Sequence, residues 1–272
     1  MKDRFKIKNT TLCALVLAII ISLGGMIYPL NRVAYAHTFS GGESASFLAL
    51  TTQISSEIHL VQSNVPSNLT LAQDHAKDGR EHLDANTTKE LTEKNKRVAD
   101  DLVSSLESLQ NTVNSTSPTM SKTVKDSVDK IDGLLQEAIS VRIEPDQLKN
   151  ATVHILAVNN LLAEITEHYG GAYGIESEKN ESSTQNKIVN VADYQSAQSL
   201  ANQTVHMFDD IKKLTLSPNI TSSAGFEKIR SGLTSLQNAI DTKKSFSEIQ
   251  QIIGTQIRPN IESAFDLKLN TE

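Results

Sequence analysis

The chain has 272 residues, with 26 Lys and Arg against 32 Asp and Glu, a net charge of −6, and a single cysteine, Cys13. An acidic balance argues against nucleic acid and anionic lipid head groups as partners, because both require a basic patch. One thiol excludes disulfides, zinc fingers, iron–sulfur clusters and c-type haem.

The first nine residues, MKDRFKIKN, carry four cations and one anion, and Leu12 to Tyr28 are uncharged. PLNRVAYA follows, with Ala34 and Ala36 where a signal peptidase prefers small side chains. Residues 1–36 therefore read as a secretory signal peptide cut after Ala36. The alternative is an uncleaved N-terminal membrane anchor, since 17 uncharged, mostly apolar residues lie at the short limit of a span. Either reading leaves the bulk of the chain outside the cytoplasm, secreted or held at the outer face of the cell membrane. Cleavage removes five cations and one anion and leaves 21 positive against 31 negative side chains, a net charge of −10.

From Phe47 onward apolar residues recur at alternating three and four steps, the period of amphipathic helices. Phe47, Leu50, Ile54, Ile58 and Val61 form the first stripe, and Pro66 restarts the chain as a second helix to about Ala85. Thr87 and Glu90 stand in capping-box register before a third stripe, Leu91, Val98, Leu102, Leu106, Leu109 and Val113. Pro118 precedes a fourth, Val124, Val128, Ile131, Leu135 and Ala138. Pro145 opens a fifth helix whose Leu148, Ala151, Ile155, Val158, Leu162, Ile165 and Tyr169 make the seam of a helical bundle.

Residues 170–187 have low apolarity and read as a linker. Three helices follow: one with Tyr194, Ala197, Ala201, Phe208 and Ile211; one with Phe226, Ile229, Leu233, Leu236 and Ile240; and one from about Phe246 to Leu267, kinked at Pro259. The expected fold is all-α, about eight amphipathic helices in one extended or two adjoining helical bundles, with residues 37–169 as the first part and 188–272 as the second. An internal duplication would match the segment from Ser117 to the one from Ser217, pairing Val128 with Ile229, Leu135 with Leu236 and Ile139 with Ile240. Seven Asn-x-Ser/Thr sequons, at Asn68, Asn86, Asn114, Asn150, Asn180, Asn202 and Asn219, suit a glycosylated surface.

The chain has seven histidines, and the densest cluster is LAQDHAKDGREHLD, Leu71 to Asp84. On a helix His75, Asp78 and His82 share one narrow stripe. His75 and His82 are two turns apart, about 10 Å, too far to bind one metal ion directly. Asp78 and His82, at i and i+4, could share one with ligands from elsewhere. The plain alternative is a solvated helix face. His37 is the sharper candidate, because cleavage after Ala36 would give it a free α-amine beside its imidazole, a bidentate nitrogen chelate suited to Cu(II). His75 or His82 would complete it. His59, His154 and His168 read as buried-edge or surface residues. No phosphate loop, His-Glu-x-x-His, nucleophile elbow or repeated Glu-x-x-His is present, and the acidic pairs Asp100-Asp101 and Asp209-Asp210 diverge on a helix, so they read as solvated charge.

AHTFSGGESASFLAL, LAQDHAKDGREHLD, NKRVADDL, AVNNLLAEI with HYGGAYG, and QIRPNIESAF resemble a family of exported helical proteins of ammonia-oxidising archaea (Thaumarchaeota). The resemblance covers nearly all of the chain after residue 36. Its motifs are not catalytic signatures, and no functional residue carries over. It implies a setting, a single membrane with a glycosylated surface layer and a heavy demand for copper at its outer face. The expected function is an extracytoplasmic helical-bundle binding or scaffold protein of the cell envelope, non-enzymatic, with an envelope or membrane protein as partner. The alternative is a copper-binding protein using His37 with His75 or His82, for metal delivery or as an accessory to an envelope copper oxidase. Its metal-ligating candidates are His37, His75, Asp78 and His82.

Overall fold

A computed structural model describes residues 41–115, 120–175, 187–214 and 224–269. The described residues are helical, with no strand among them, so the fold is an all-α helical bundle. The helices are α1 (Gly41–Asn64), α2 (Leu69–Glu81), α3 (Ala85–Val113), α4 (Met120–Arg142), α5 (Ala151–Ala172), α6 (Val191–Leu214), α7 (Ala224–Asp241), α8 (Phe246–Ile252) and α9 (Arg258–Phe265). Among the described residues no helix is long and apolar enough to cross a membrane. Residues 1–36, with His37, lie outside the described residues.

Side-chain caps decide where several helices begin. Asn68 accepts the Leu71 amide, Asp84 that of Thr87, Asn150 that of Thr152, and Ser245 that of Glu248. Each satisfies a first-turn N–H that has no intrahelical partner. The capping-box reading at Thr87 is therefore corrected. Asp84 is the cap, and Glu90 instead pairs with the buried Arg142 of α4. Pro145 opens only a single turn, Pro145–Leu148, and the long helix starts after Asn150. Inside α3, Asn95 adopts φ −156° and ψ 97° and caps the amide of Val98, so the helix restarts there.

The expected kink at Pro259 is a π-helical turn, Ile253–Ile257, between α8 and α9. Proline has no amide hydrogen to continue the ladder. The preceding Arg258 amide reaches back five residues to Ile253 instead.

Helix α1 is the middle of the molecule and packs against α2, α4, α5 and α6. It is buried nearly all round rather than along one stripe, so Ser56 and Glu57 are enclosed together with Ile54, Ile58 and Val61. Helices α3 and α4 pack as one pair and α6 and α7 as another, while α5 lies against both α1 and α6. Phe208, Phe226 and Phe265 stack with ring centres 5.2 and 5.4 Å apart where α6, α7 and α9 meet.

Ser40–Glu272 make one compact unit. The stretch read as a linker from residue 170 begins inside α5, where Gly170 and Ala172 are buried. The three residue pairs matched by the duplication are all buried, as the apolar faces of any two amphipathic helices would be.

Candidate metal centre

Helix α1 contains no Lys or Arg, and its mid-helix Glu57 is only 1% exposed. A carboxylate in such a place requires compensating partners. Its Oε2 lies 2.7 Å from Nδ1 of His75, which α2 presents fully buried. Nε2 of His75 lies 2.8 Å from Oε1 of Gln195 on α6.

The proton positions follow from the next links outward. Asn64 donates from Nδ2 to the Leu60 carbonyl and also to Gln195 Oε1. That fixes the Gln195 atom as an acceptor, so His75 Nε2 must donate to it. With Nδ1 facing the Glu57 carboxylate, His75 is held as an imidazolium. Burial alone would lower its pKa, but the hydrogen bond and charge of Glu57 together outweigh burial and raise it.

The other oxygen of Glu57, Oε1, is buried without a hydrogen-bond partner. So is Nε2 of His82, at the C-terminal cap of α2. Burial holds the His82 pKa below its ordinary value, and the neighbouring His168 adds to the shift. A neutral imidazole with a bare nitrogen is the metal-binding form.

His168, near the end of α5, completes the group. Its ring stands edge-on to that of His82 at 81°, with centres 6.4 Å apart. Its Nδ1 is 3.0 Å from Oδ1 of Asp193, which leaves Nε2 as the available donor. Burial opposes protonation of His168, yet the Asp193 bond and nearby carboxylates raise its pKa overall.

Asp193 sits in the first turn of α6, where a helix favours negative charge. Asn190 fixes it there, donating to Oδ2 at 2.6 Å and accepting the Ala192 and Asp193 amides. Gly171 makes room for this carboxylate, since a Cβ at that position would lie 2.5 Å from Asp193 Oδ2.

Glu57, His82 and His168 thus offer one donor each, all within 4.8 Å of one another. Bonds of about 2.1 Å would hold such donors roughly 3–3.4 Å apart. The contraction needed is at most about 1.4–1.8 Å, which rotation of the side chains can supply. Two of the three candidate ligands are held by an outer hydrogen bond, Glu57 by His75 and His168 by Asp193. That is how metal ligands are ordinarily oriented.

The sequence-derived candidates divide around this group. His82 belongs to it. His75 does not ligate, because both of its nitrogens are occupied, and its part is to orient Glu57. Asp78 is half-buried outside the group, with its carboxyl pushed up to about 6 first by burial and then by the charge of Glu57. His37 lies outside the described residues. The stripe that could have been a solvated face is instead covered by α1, α3 and α6.

Glu57 escapes the sequence pattern because it lies beside the first apolar stripe, where a polar residue reads as the solvent side of the helix. The signal available in the sequence is a mid-helix acid, in a helix with no Lys or Arg and only Glu43, at its first turn, as a second acid. His168 reads from sequence as a buried-edge or surface residue, and its local pattern carries no hint of a partner more than a hundred positions away. His154, by contrast, bonds the Leu148 carbonyl at 2.8 Å and needs no other role. Asp100 and Asp101 pair with Lys96 and Arg97, and Asp209 and Asp210 with Arg230 and Lys213, so these acids do act as separate surface charges.

No protein-family model, curated protein or solved structure matches this chain.

Proposed function

We propose that this chain is a helical-bundle binding protein of the cell envelope whose bound species is a divalent first-row transition-metal ion. The ion would be held by Glu57 Oε1 and the imidazoles of His82 and His168. The observation that carries this reading is the pair of buried, unpartnered donor atoms, Glu57 Oε1 and His82 Nε2, beside a third imidazole. Leaving such atoms unsatisfied costs about 1–3 kcal/mol each, and an ion removes that cost. Two nitrogens and one carboxylate oxygen suit borderline divalent ions, with copper highest in the affinity order.

A non-enzymatic role fits the lack of catalytic motifs in the sequence. The envelope setting rests on the basic, then apolar, then small-residue pattern of residues 1–36 and on the family resemblance, which makes an envelope or membrane protein the natural partner. Copper handling at that surface is the corresponding physiological role.

Titration of the protein beginning at His37 with Cu(II) and Zn(II), followed by calorimetry, tests the reading. One tight equivalent is expected, lost in Glu57→Gln and His168→Ala. Tight binding that survives both substitutions once the amino-terminal chelate is blocked would refute the buried site. A second version with one extra residue ahead of His37 separates the amino-terminal copper chelate, because only that chelate needs a free α-amine on the histidine.

A further inference from the structure

Among the described residues the centre described above has three His or carboxylate donors and no fourth of that kind. Among the described residues, Glu57, His82 and His168 form one such group, and no other His, Cys, Asp or Glu joins it within 4.8 Å. First-row divalent ions take four or more ligands, so these three donors leave at least one position for a further group. Burial says where. Glu57 is the closed floor, at 1% exposure, while His82 and His168 are half-buried. The unfilled position therefore faces outward along the edge shared by the two imidazoles.

Charge says what enters. The surroundings of the triad are rich in carboxylates. Asp193 contacts His168, Asp78 lies close enough to feel Glu57 and Asp193, and Glu164, Glu167 and Glu81 act on the two imidazoles. The opposing cations acting there are His75 and Lys77. Most of the ion's charge is thus offset by Glu57 and Asp193 alone, and the acids around them repel an incoming anion.

Resting on the metal-binding reading, we infer that the centre keeps one coordination position open at the His82–His168 edge and fills it with a neutral monodentate donor. Water occupies it at rest, and an imidazole-type nitrogen displaces that water. A position of this kind lets the ion leave by ligand exchange, because an incoming nitrogen can bind before any protein ligand lets go. The floor ligand, held by His75, would be the last to dissociate.

The protein loaded with one equivalent of Co(II) tests this by its visible d–d absorption, titrated separately with imidazole and with azide. Imidazole should shift the bands saturably while the cobalt stays bound, with a half-saturation point at least about tenfold below that of azide. Glu57→Gln should weaken cobalt binding itself, which locates the signal at this centre.

Bands that stay fixed under excess imidazole, with cobalt retained, mean a closed centre and overturn the inference while leaving the metal-binding reading intact. Azide acting as readily as imidazole overturns the choice of a neutral donor. Loss of the bands by release of cobalt counts against an open position. Failure to bind Co(II), Cu(II) and Zn(II) at all overturns the metal-binding reading and the inference with it.

Discussion

His75 is a fully buried histidine that spends both nitrogens on other side chains, Glu57 on one side and Gln195 on the other. Its effect on a metal ion is indirect, so His75→Gln should lower metal affinity about 10–100-fold without removing a ligand. Gly171→Ala makes the same point from the other side, since the added methyl collides with Asp193 and loosens the His168 ring. Calorimetric titration should show weakened binding in both variants with an unchanged stoichiometry of one, and a lost stoichiometry would make His75 a ligand. Asp78 gives a pH-dependent prediction. Its folded pKa of about 6 lies above the unfolded value of about 3.9. The folded state therefore holds this proton more tightly. The stabilisation is complete below pH ~4 and is lost as pH rises through about 6. In metal-free protein, Asp78→Asn should raise the melting temperature at pH 8 and change it little at pH 4. The gain is about 1 kcal/mol once solvent screening of a half-buried group is allowed for. Equal shifts at both pH values would trace the effect to packing instead.

At the ends of the helices the backbone takes the leading part. Helix α7 closes with Lys243 at φ 57°, its amide bonded to Ile240 and that of Lys244 to Ala239. This is a Schellman ending with lysine where glycine is usual, a conformation that costs an L-residue about 1 kcal/mol. Lys243→Gly should therefore stabilise the protein by about 0.5–1 kcal/mol, less whatever Lys243 gains from its 5.5 Å approach to the Tyr194 ring. Urea unfolding reads this directly, and a lowered midpoint would show that the ring contact is the stronger effect. Tyr169 guards the same corner, donating to the Lys244 carbonyl at 2.6 Å from a fully buried ring. Helices α3 to α7 were legible because their apolar residues mark one face each, and Pro145 and Pro259 announced breaks. What the spacing could not give was how many neighbours a helix has. Helix α1 has four, so its off-stripe Ser56 and Glu57 are interior too. The capping of α3 by Asp84 rather than Thr87 was equally hidden, since both residues are competent caps and only the path of the chain selects between them. His82 stands out as a candidate from its local spacing, whereas Glu57 and His168 come beside it only through tertiary packing.

Across the whole molecule the three proposed ligands come from α1, the C-terminal cap of α2, and α5, and the groups around them extend to α6. Glu57 and His168 are 111 positions apart in the chain, so one ion would close a long loop that the bundle otherwise holds by packing and scattered inter-helix hydrogen bonds. An ion that binds only the folded state stabilises it by about 2.7 kcal/mol when present at a hundred times its dissociation constant. For a unit of this size each kcal/mol is worth roughly 2–4 °C, so saturating metal should raise the melting temperature by about 5–10 °C, reversibly on chelation. Glu57→Gln and His168→Ala should lose that increment, because each removes a donor. The distribution of the effect is as diagnostic as its size. Helices α7, α8 and α9 contribute no ligand and pack chiefly with one another and α6. Hydrogen exchange should therefore slow in α1, α2, α5 and the first turn of α6 on metal addition, and stay nearly unchanged in α7 to α9. A uniform slowing would indicate weak binding spread over the acidic surface, whereas protection confined to the ligand-bearing helices is what a single buried ion produces.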